Sequence, residues 1–349
     1  MVFLEVSVKK KAGEQQLPRV VSAARTTGAL HLGNYHGALK NWVNLQSNYE
    51  CYFFAADWHA LTTEYEHPQN IRQYTWEMVL DWLGAGLDPK LCTLFIQSHV
   101  PEHAELHLLL SMITPLSWLE RVPTYKELRS KLKEKHLATY GFLGYPALQS
   151  ADILIYKPHF IPVGEDQVSH VELTREIARH FQHLYAEHLV KPLFPEPQVL
   201  LTQASKMPGL DGQKMSKSYH NTIGLRADPK TVEQQIKTMP TDPARVRRSD
   251  PGEPEKCPVW RFHQVYSSKE TQEWVQTGCR TAGIGCLDCK KPVVEAVLAE
   301  QAPIRARAEQ YEKDPDTVRD ILAEGCKNAR RIASETLCEV RETMGLSVL

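Results

Sequence analysis

Residues 213–218 read Gln-Lys-Met-Ser-Lys-Ser, with two lysines, Lys214 and Lys217, among the small hydroxyl residues Ser216 and Ser218. The stretch before them, Met207-Pro208-Gly209-Leu210-Asp211-Gly212, is dense in turn formers and places the lysines on a loop. Lysine is a compact cation on a flexible stem, so such a loop suits a polyphosphate whose charge grows as a bond breaks. Two lysines alone are more often a solvated basic loop. A second group lies near the start. Arg25-Thr26-Thr27-Gly28 and His31-Leu32-Gly33-Asn34 follow a short apolar run at 19–24 and precede Tyr35, Leu39, Trp42 and Val43, a helical spacing. Strand, glycine turn and helix start in that order aim backbone N–H groups at an anion. Gly28 and Gly33 let backbone approach a nucleotide closely, and His31 adds a ring donor, neutral or cationic. A third group, Tyr145, Gln149, Asp152 and Tyr156, falls on one helical face. A carboxylate among apolar neighbours is costly unless paired, so Asp152 either faces solvent or accepts an N–H from a bound ring.

The elements that must position these groups alternate. Strands are expected at 19–24, 51–56 and 92–97, and another ends at Ile161-Pro162-Val163 before Gly164-Glu165-Asp166-Gln167. Helices are expected after about Ile71, with Tyr74, Met78 and Trp82 on one face and an end near Asp88-Pro89, and after Gln167, with Val168, Val171, Ile177 and Phe181. Strands alternating with helices give an α/β fold with a doubly wound parallel sheet, whose ligands sit at the carboxyl ends of the strands. Residues 103–139 are helical in pattern, broken at Pro115 and Pro123, and read as an insertion with more apolar residues than a small hairpin needs. That surplus suits a subunit interface or ordinary packing. From about Lys290 the pattern is helical again, with Leu322, Cys326, Ala329, Ile332, Ala333 and Val340 near one stripe and Lys327, Arg330 and Arg331 beside it. The domain reading is an N-terminal extension at 1–18, a Rossmann-like catalytic domain at 19–222 and an all-α domain at 223–349.

The totals narrow the class. With 349 residues, 42% hydrophobic and 24% charged, the chain has the composition of a soluble globular protein of about two domains. No apolar run approaches the ~18 residues of a membrane span, and the start lacks the apolar core of an export signal. A cytoplasmic location is expected, without membrane or DNA partners. A net charge of −1 makes any nucleic-acid surface a local patch, and Arg245-Val246-Arg247-Arg248 is one candidate for RNA phosphate. Four of the eight cysteines, Cys257, Cys279, Cys286 and Cys289, cluster as Cys-x21-Cys-x6-Cys-x2-Cys. Without an export signal the cluster favours metal over disulfides. Four thiolates suit either tetrahedral zinc or an iron–sulfur centre, although only one close cysteine pair is present.

The lysine loop resembles the second signature of class I aminoacyl-tRNA synthetases, and His31-Leu32-Gly33-Asn34 resembles the first, His-x-Gly-His or Asn. Two such signatures in this order, about 180 residues apart, are far more specific than either alone. Asp57-Trp58-His59-Ala60-Leu61-Thr62, the run from Tyr145 to Asp152, and Val163-Gly164-Glu165-Asp166-Gln167 extend the likeness to the bacterial tryptophanyl-tRNA synthetase family, over nearly the whole chain from Arg19. Glu172-Leu173-Thr174-Arg175 fits that family better than the tyrosyl one. The chain departs from the family pattern at Ala23 and Thr26, where glycine and proline are usual. Loss of the proline, which presets φ, should loosen the turn without removing its donors.

The resemblance implies activation of L-tryptophan by ATP with Mg²⁺, then transfer to tRNA(Trp), in a homodimer with a C-terminal anticodon-binding domain. It implies that His31, Asn34, Lys214 and Lys217 stabilise the phosphates, in an ATP site that also takes in Arg25, Thr26, Thr27, Gly28, Gly33, Gly164, Glu165, Asp166, Met215, Ser216 and Ser218. Tyr145, Gln149, Asp152, Gln167 and His59 would hold tryptophan, with Asp152 accepting the indole N–H. Some members carry a [4Fe-4S] cluster on a nearly identical cysteine spacing, which favours the cluster over Zn²⁺. Two other readings stand beside this one: a small-molecule adenylyltransferase, which would not need the C-terminal helices, and a noncatalytic synthetase paralogue that binds RNA.

Overall fold

Five apolar runs pair into one all-parallel sheet in a computed structural model, which describes residues 17–122, 139–164, 167–201 and 207–346. The strands are β1 (Arg19–Arg25), β2 (Glu50–Ala56), β3 (Cys92–Ile96), β4 (Phe160–Val163) and β5 (Gln198–Leu201), in the spatial order β3-β2-β1-β4-β5. β2 shows why its sequence is continuously apolar. Cys51, Phe53 and Ala55 enter one core while Tyr52, Phe54 and Ala56 enter the other, so the strand is buried on both faces. The four expected strands form. β5 was not anticipated: it is four residues long, lies beyond Pro195 and Pro197, and is only half covered at the sheet's edge. Strand order reverses between β1 and β4, and a crevice opens at such a point.

Around the sheet run α1 (Leu32–Asn34), a π turn at Tyr35–Leu39, α2 (Lys40–Leu45), α3 (Asp57–Glu64), α4 (Ile71–Ala85), α5 (Glu102–Ser111), α6 (Leu116–Arg121), α7 (Tyr140–Leu154) and α8 (Val168–Tyr185). Then follow α9 (Pro229–Thr238), α10 (Pro258–Tyr266), α11 (Lys269–Arg280), α12 (Cys286–Lys313) and α13 (Pro315–Thr343). The side chains of Thr139, Asp228, Ser268 and Asp314 cap α7, α9, α11 and α13 by accepting the N–H three residues on. α4 ends before Asp88-Pro89 because Gly86, at φ 109°, takes the left-handed closing position. In the insertion Leu106 and Leu110 enter the core, whereas Leu108, Met112 and Leu116 stay exposed. Pro123 and the residues up to 138 lie outside the described residues.

α12 and α13 both return to the sheet. α12 packs on α4 at Gly84, where a Cβ would lie 2.9 Å from Ala308 Cβ and from the Ile304 carbonyl. The apolar stripe of α13 is buried, and its cover is the edge of β3. Gly325 passes so close that a Cβ would fall 1.8 Å from the Leu94 carbonyl oxygen. Cys326, Ala329, Ala333, Leu337 and Val340 then join the core that holds Tyr52 and Phe54. Among the described residues no helix is long and apolar enough to cross a membrane.

Candidate active site

The end of β1 opens onto the crevice, so Ala23 and Arg25 are exposed although their strand is central. Arg25 reaches across to α3 and donates to Thr63 Oγ1 at 2.6 Å. In the turn that follows, Thr26 is fully buried and its hydroxyl finds no partner among the described residues. Gly28 sits at φ 115°, where a side chain would be strained. The Leu30 N–H donates to Asp81 Oδ2 at 2.8 Å, and Asp81 in turn accepts Arg226 Nε at 2.6 Å. Residues 30–32 pair with 223–225 through Leu32 N–H to the Ile223 carbonyl (3.0 Å) and Leu225 N–H to the Leu30 carbonyl (2.9 Å). Asn34 Oδ1 accepts the His31 N–H at 3.1 Å and starts α1. Burial, then the nearby Lys217 charge, lowers the His31 imidazolium pKa to about 4. His31 is therefore a neutral donor at physiological pH, which decides between the two states open from sequence.

The lysine loop docks on that turn. The Gly33 N–H meets Met215 Sδ at 3.3 Å, and a Cβ on Gly33 would lie 3.2 Å from Met215 Cβ. Lys217 Nζ donates to the Thr27 carbonyl at 3.2 Å and lies 3.0 Å from where a Gly28 Cβ would be. The two glycines thus admit the loop. Burial lowers the Lys217 ammonium pKa, with Asp81 opposing. Lys214 and Ser218 are exposed, Met215 is buried, and the Ser216 N–H is held by Asn221 Oδ1 at 2.8 Å. Across the crevice, Gln167 N–H returns to the Gly164 carbonyl at 3.0 Å. Glu165 and Asp166 lie outside the described residues.

Deeper in, Asp152 is only 3% exposed. Its Oδ2 accepts His59 Nε2 at 2.7 Å and Gln97 Nε2 at 2.9 Å, and its Oδ1 accepts His103 Nδ1 at 2.6 Å and Gln97 Nε2 at 2.8 Å. Burial alone would raise the carboxyl pKa. The hydrogen bonds from His103 and His59, and then their electrostatic attraction, outweigh it and hold Asp152 well below the usual carboxylate range. His103 Nε2 lies 2.7 Å from the Tyr156 hydroxyl, which links the face expected from sequence to α5. Tyr145 lies edge-on to the His59 ring at 6.4 Å between centroids, and Gln149 is half-buried on the same helix. Gln97 and His103 went unread in the sequence. Gln97 had a signal, a polar residue at the carboxyl end of an apolar strand; His103 had none.

The four clustered cysteines are brought into one neighbourhood: Cys257 precedes α10, Cys279 lies on α11, and Cys286 and Cys289 open α12. Burial, then the other three thiols, pushes Cys289 up to about 12. All eight cysteines are free. Among the described residues no group of three or more His, Cys, Asp or Glu side chains is placed to hold a metal ion. Arg245 also departs from expectation. It is buried and donates to the Ile284 and Arg248 carbonyls, so of the three arginines in that stretch Arg247 and Arg248 face solvent.

The family model for class I tRNA synthetases of the W and Y type matches residues 14–300. A tryptophan–tRNA ligase of Ralstonia nicotianae is 55% identical over 94% of this chain and 98% of its own length. One of Thermotoga maritima is 53% identical over 94% and 99%. The tryptophanyl-tRNA synthetase of Campylobacter jejuni, solved in complex with ADP and tryptophan, superposes with a TM-score of 0.83 at 32% identity, covering 94% of this chain and all of that one. With the two signatures docked on one another at the carboxyl end of β1, these likenesses establish that the chain belongs to the class I tryptophanyl-tRNA synthetases of bacteria.

Proposed function

We propose that the crevice at the end of β1 carries out the two-step ligation of this family. The tryptophan carboxylate attacks the α-phosphorus of ATP, giving tryptophanyl-adenylate and pyrophosphate. The terminal ribose hydroxyl of tRNA(Trp) then attacks the adenylate carbonyl and releases AMP. The attacking carboxylate is already ionised at neutral pH, so the first step needs no general base. Positioning and charge stabilisation supply the rate. ATP enters with Mg²⁺, which shares the phosphate charge. Neutral His31 donates to a phosphate oxygen, Asn34 fixes the helix start, and Lys214 and Lys217 meet the charge that develops on the leaving pyrophosphate. Gly28, Gly33, Gly164 and Asp166 shape the nucleotide site. The observation that carries this reading is the contact of Met215 with Gly33, which sets Lys217 3.2 Å from the Thr27 carbonyl.

Tryptophan lies between α3 and α7, its α-ammonium toward Tyr145 and Gln167. A carboxylate offers roughly four lone-pair positions, and protein donors already occupy that many on Asp152. The indole N–H therefore takes the place of one of them. His59, at the crevice end of the network, is the one to yield. The test is tryptophan-dependent pyrophosphate exchange. K217A should lower the single-turnover rate of adenylate formation far more than it weakens tryptophan binding, the pattern of a contact made mainly in the transition state. An unchanged rate would remove the lysines from the mechanism, and absence of exchange in the wild-type chain would favour the noncatalytic reading.

Residues 19–222 serve as the catalytic unit and 223–349 as the anticodon-binding part, with α13 anchored back on β3. The exposed Leu108, Met112, Leu116 and Tyr140 support a homodimer through the insertion, and sedimentation at twice the chain mass would bear this out. Cys257, Cys279, Cys286 and Cys289 would hold a structural [4Fe-4S] cluster, with Zn²⁺ as the alternative; four neighbouring thiols are the donor chemistry that supports it. Protein purified without oxygen should be brown, with about equal iron and acid-labile sulfide.

A further inference from the structure

One side chain that the mechanism above does not use holds the lysine loop together. Asn221 lies just beyond Ser218 and is buried. Its Oδ1 accepts the Ser216 N–H at 2.8 Å, while its Nδ2 donates to Asp211 Oδ1 at 2.8 Å and to the Lys214 carbonyl at 3.2 Å. Its own carbonyl accepts the Leu210 N–H at 2.9 Å. The side-chain contacts fall on both sides of Met215, the residue that docks on Gly33. They fix the backbone at Lys214 and immediately before Lys217, the two positions whose ammonium groups must be aimed. Gly209 leaves the room this requires, since a Cβ there would stand 2.2 Å from Asn221 Nδ2.

We infer that Asn221 is the positioning residue of this loop: its amide sets the register between Lys214 and Lys217 and so their aim at the phosphates. The inference rests on the reading that those lysines serve the phosphates. Aspartate cannot replace the amide. It would keep the bond from Ser216 but lose both donated bonds, and would face the Asp211 carboxylate and the Lys214 carbonyl with a negative charge. A loop loosened at this point still lets tryptophan bind, because the tryptophan-binding residues lie on α3, α7 and the start of α8.

The test compares N221A, N221D, D211N/N221D and K217A in tryptophan-dependent pyrophosphate exchange, with thermal unfolding of each variant followed by circular dichroism. N221A should lower kcat roughly 10- to 100-fold, the scale of an ångström-sized misplacement, with the KM for tryptophan within about twofold of wild type. N221D should be slower than N221A. D211N/N221D should recover part of the N221D loss, because the amide at position 211 then donates to the carboxylate at 221. If N221A does not fold, D211A at the exposed partner reads the same split of kcat from KM. Loss in K217A with wild-type kcat in N221A overturns the role of Asn221 alone; wild-type rates in K217A overturn the lysine reading on which it rests. A tryptophan KM that rises, or a melting temperature that falls, in step with the lost kcat would also overturn it, since a merely structural asparagine behaves that way.

Discussion

Replacing Asp152 by asparagine keeps the shape of the side chain and removes its charge. The carboxylate accepts four contacts from three side chains, all inside the core. An amide accepts at its oxygen only, so its NH₂ faces either His103 and Gln97 or His59 and Gln97. On the His103 side the ring can move its proton to Nε2 and donate to the Tyr156 hydroxyl, 2.7 Å away, which rescues one contact. One or two buried donors are still left opposite a donor. At about 1–3 kcal/mol for each, D152N should destabilise the fold by roughly 1–6 kcal/mol. D152A leaves all three side chains without their acceptor and adds a cavity, so it should cost more than D152N. Urea unfolding followed by tryptophan fluorescence measures both. The folded fraction of D152A should also lose about 1–3 kcal/mol of discrimination between tryptophan and phenylalanine in pyrophosphate exchange. A D152N midpoint equal to wild type, or D152A more stable than D152N, would refute the reasoning that the network depends on an ionised acceptor.

G325A should push α13 off the edge of β3, because no conformation accommodates a methyl 1.8 Å from the Leu94 carbonyl; a loss of about 1–3 kcal/mol in urea unfolding is expected, with faster amide exchange in β3. His31 is held neutral in the fold, with its pKa lowered from 6.5 to about 4, so the unfolded chain binds more protons between those values. Stability should therefore rise with pH across that window and level off above 6.5, and H31N should flatten the rise by up to one proton in the pH dependence of the urea midpoint. C286S should lose the metal of the proposed cluster and weaken tRNA charging while leaving pyrophosphate exchange near wild type, as iron analysis and the two assays would show.

Much of the site was legible because its groups are local. The turn from Arg25 to Asn34 and the loop from Met207 to Ser218 each carry their geometry in consecutive residues: glycines where backbone must approach closely, and the Met215 and Lys217 side chains that dock on them. The network on Asp152 is a different case. His59, Gln97 and His103 lie 93, 55 and 49 residues away from it in the chain and on separate elements, and none of those separations has a period. Asn221 sits three residues past a recognised motif, yet an isolated asparagine in a polar loop looks like any turn former.

The sequence by itself determined the strands β1 to β4, the helices whose stripes face the sheet, the docking motifs and the family, since period, turn chemistry and motif order are short-range properties. Tertiary structure alone decided what each stripe covers and which state each buried group takes. The apolar stripe of α13 is plain in the sequence, but only the fold lays it over β3 instead of against the cysteine-bearing helices. Arg245 reads as a free cation until it is found donating inward to the Ile284 carbonyl. His31 is neutral, and Asp152 ionised, because burial and distant partners set the energy of a charge, and both depend on residues that the chain brings together only after it has folded.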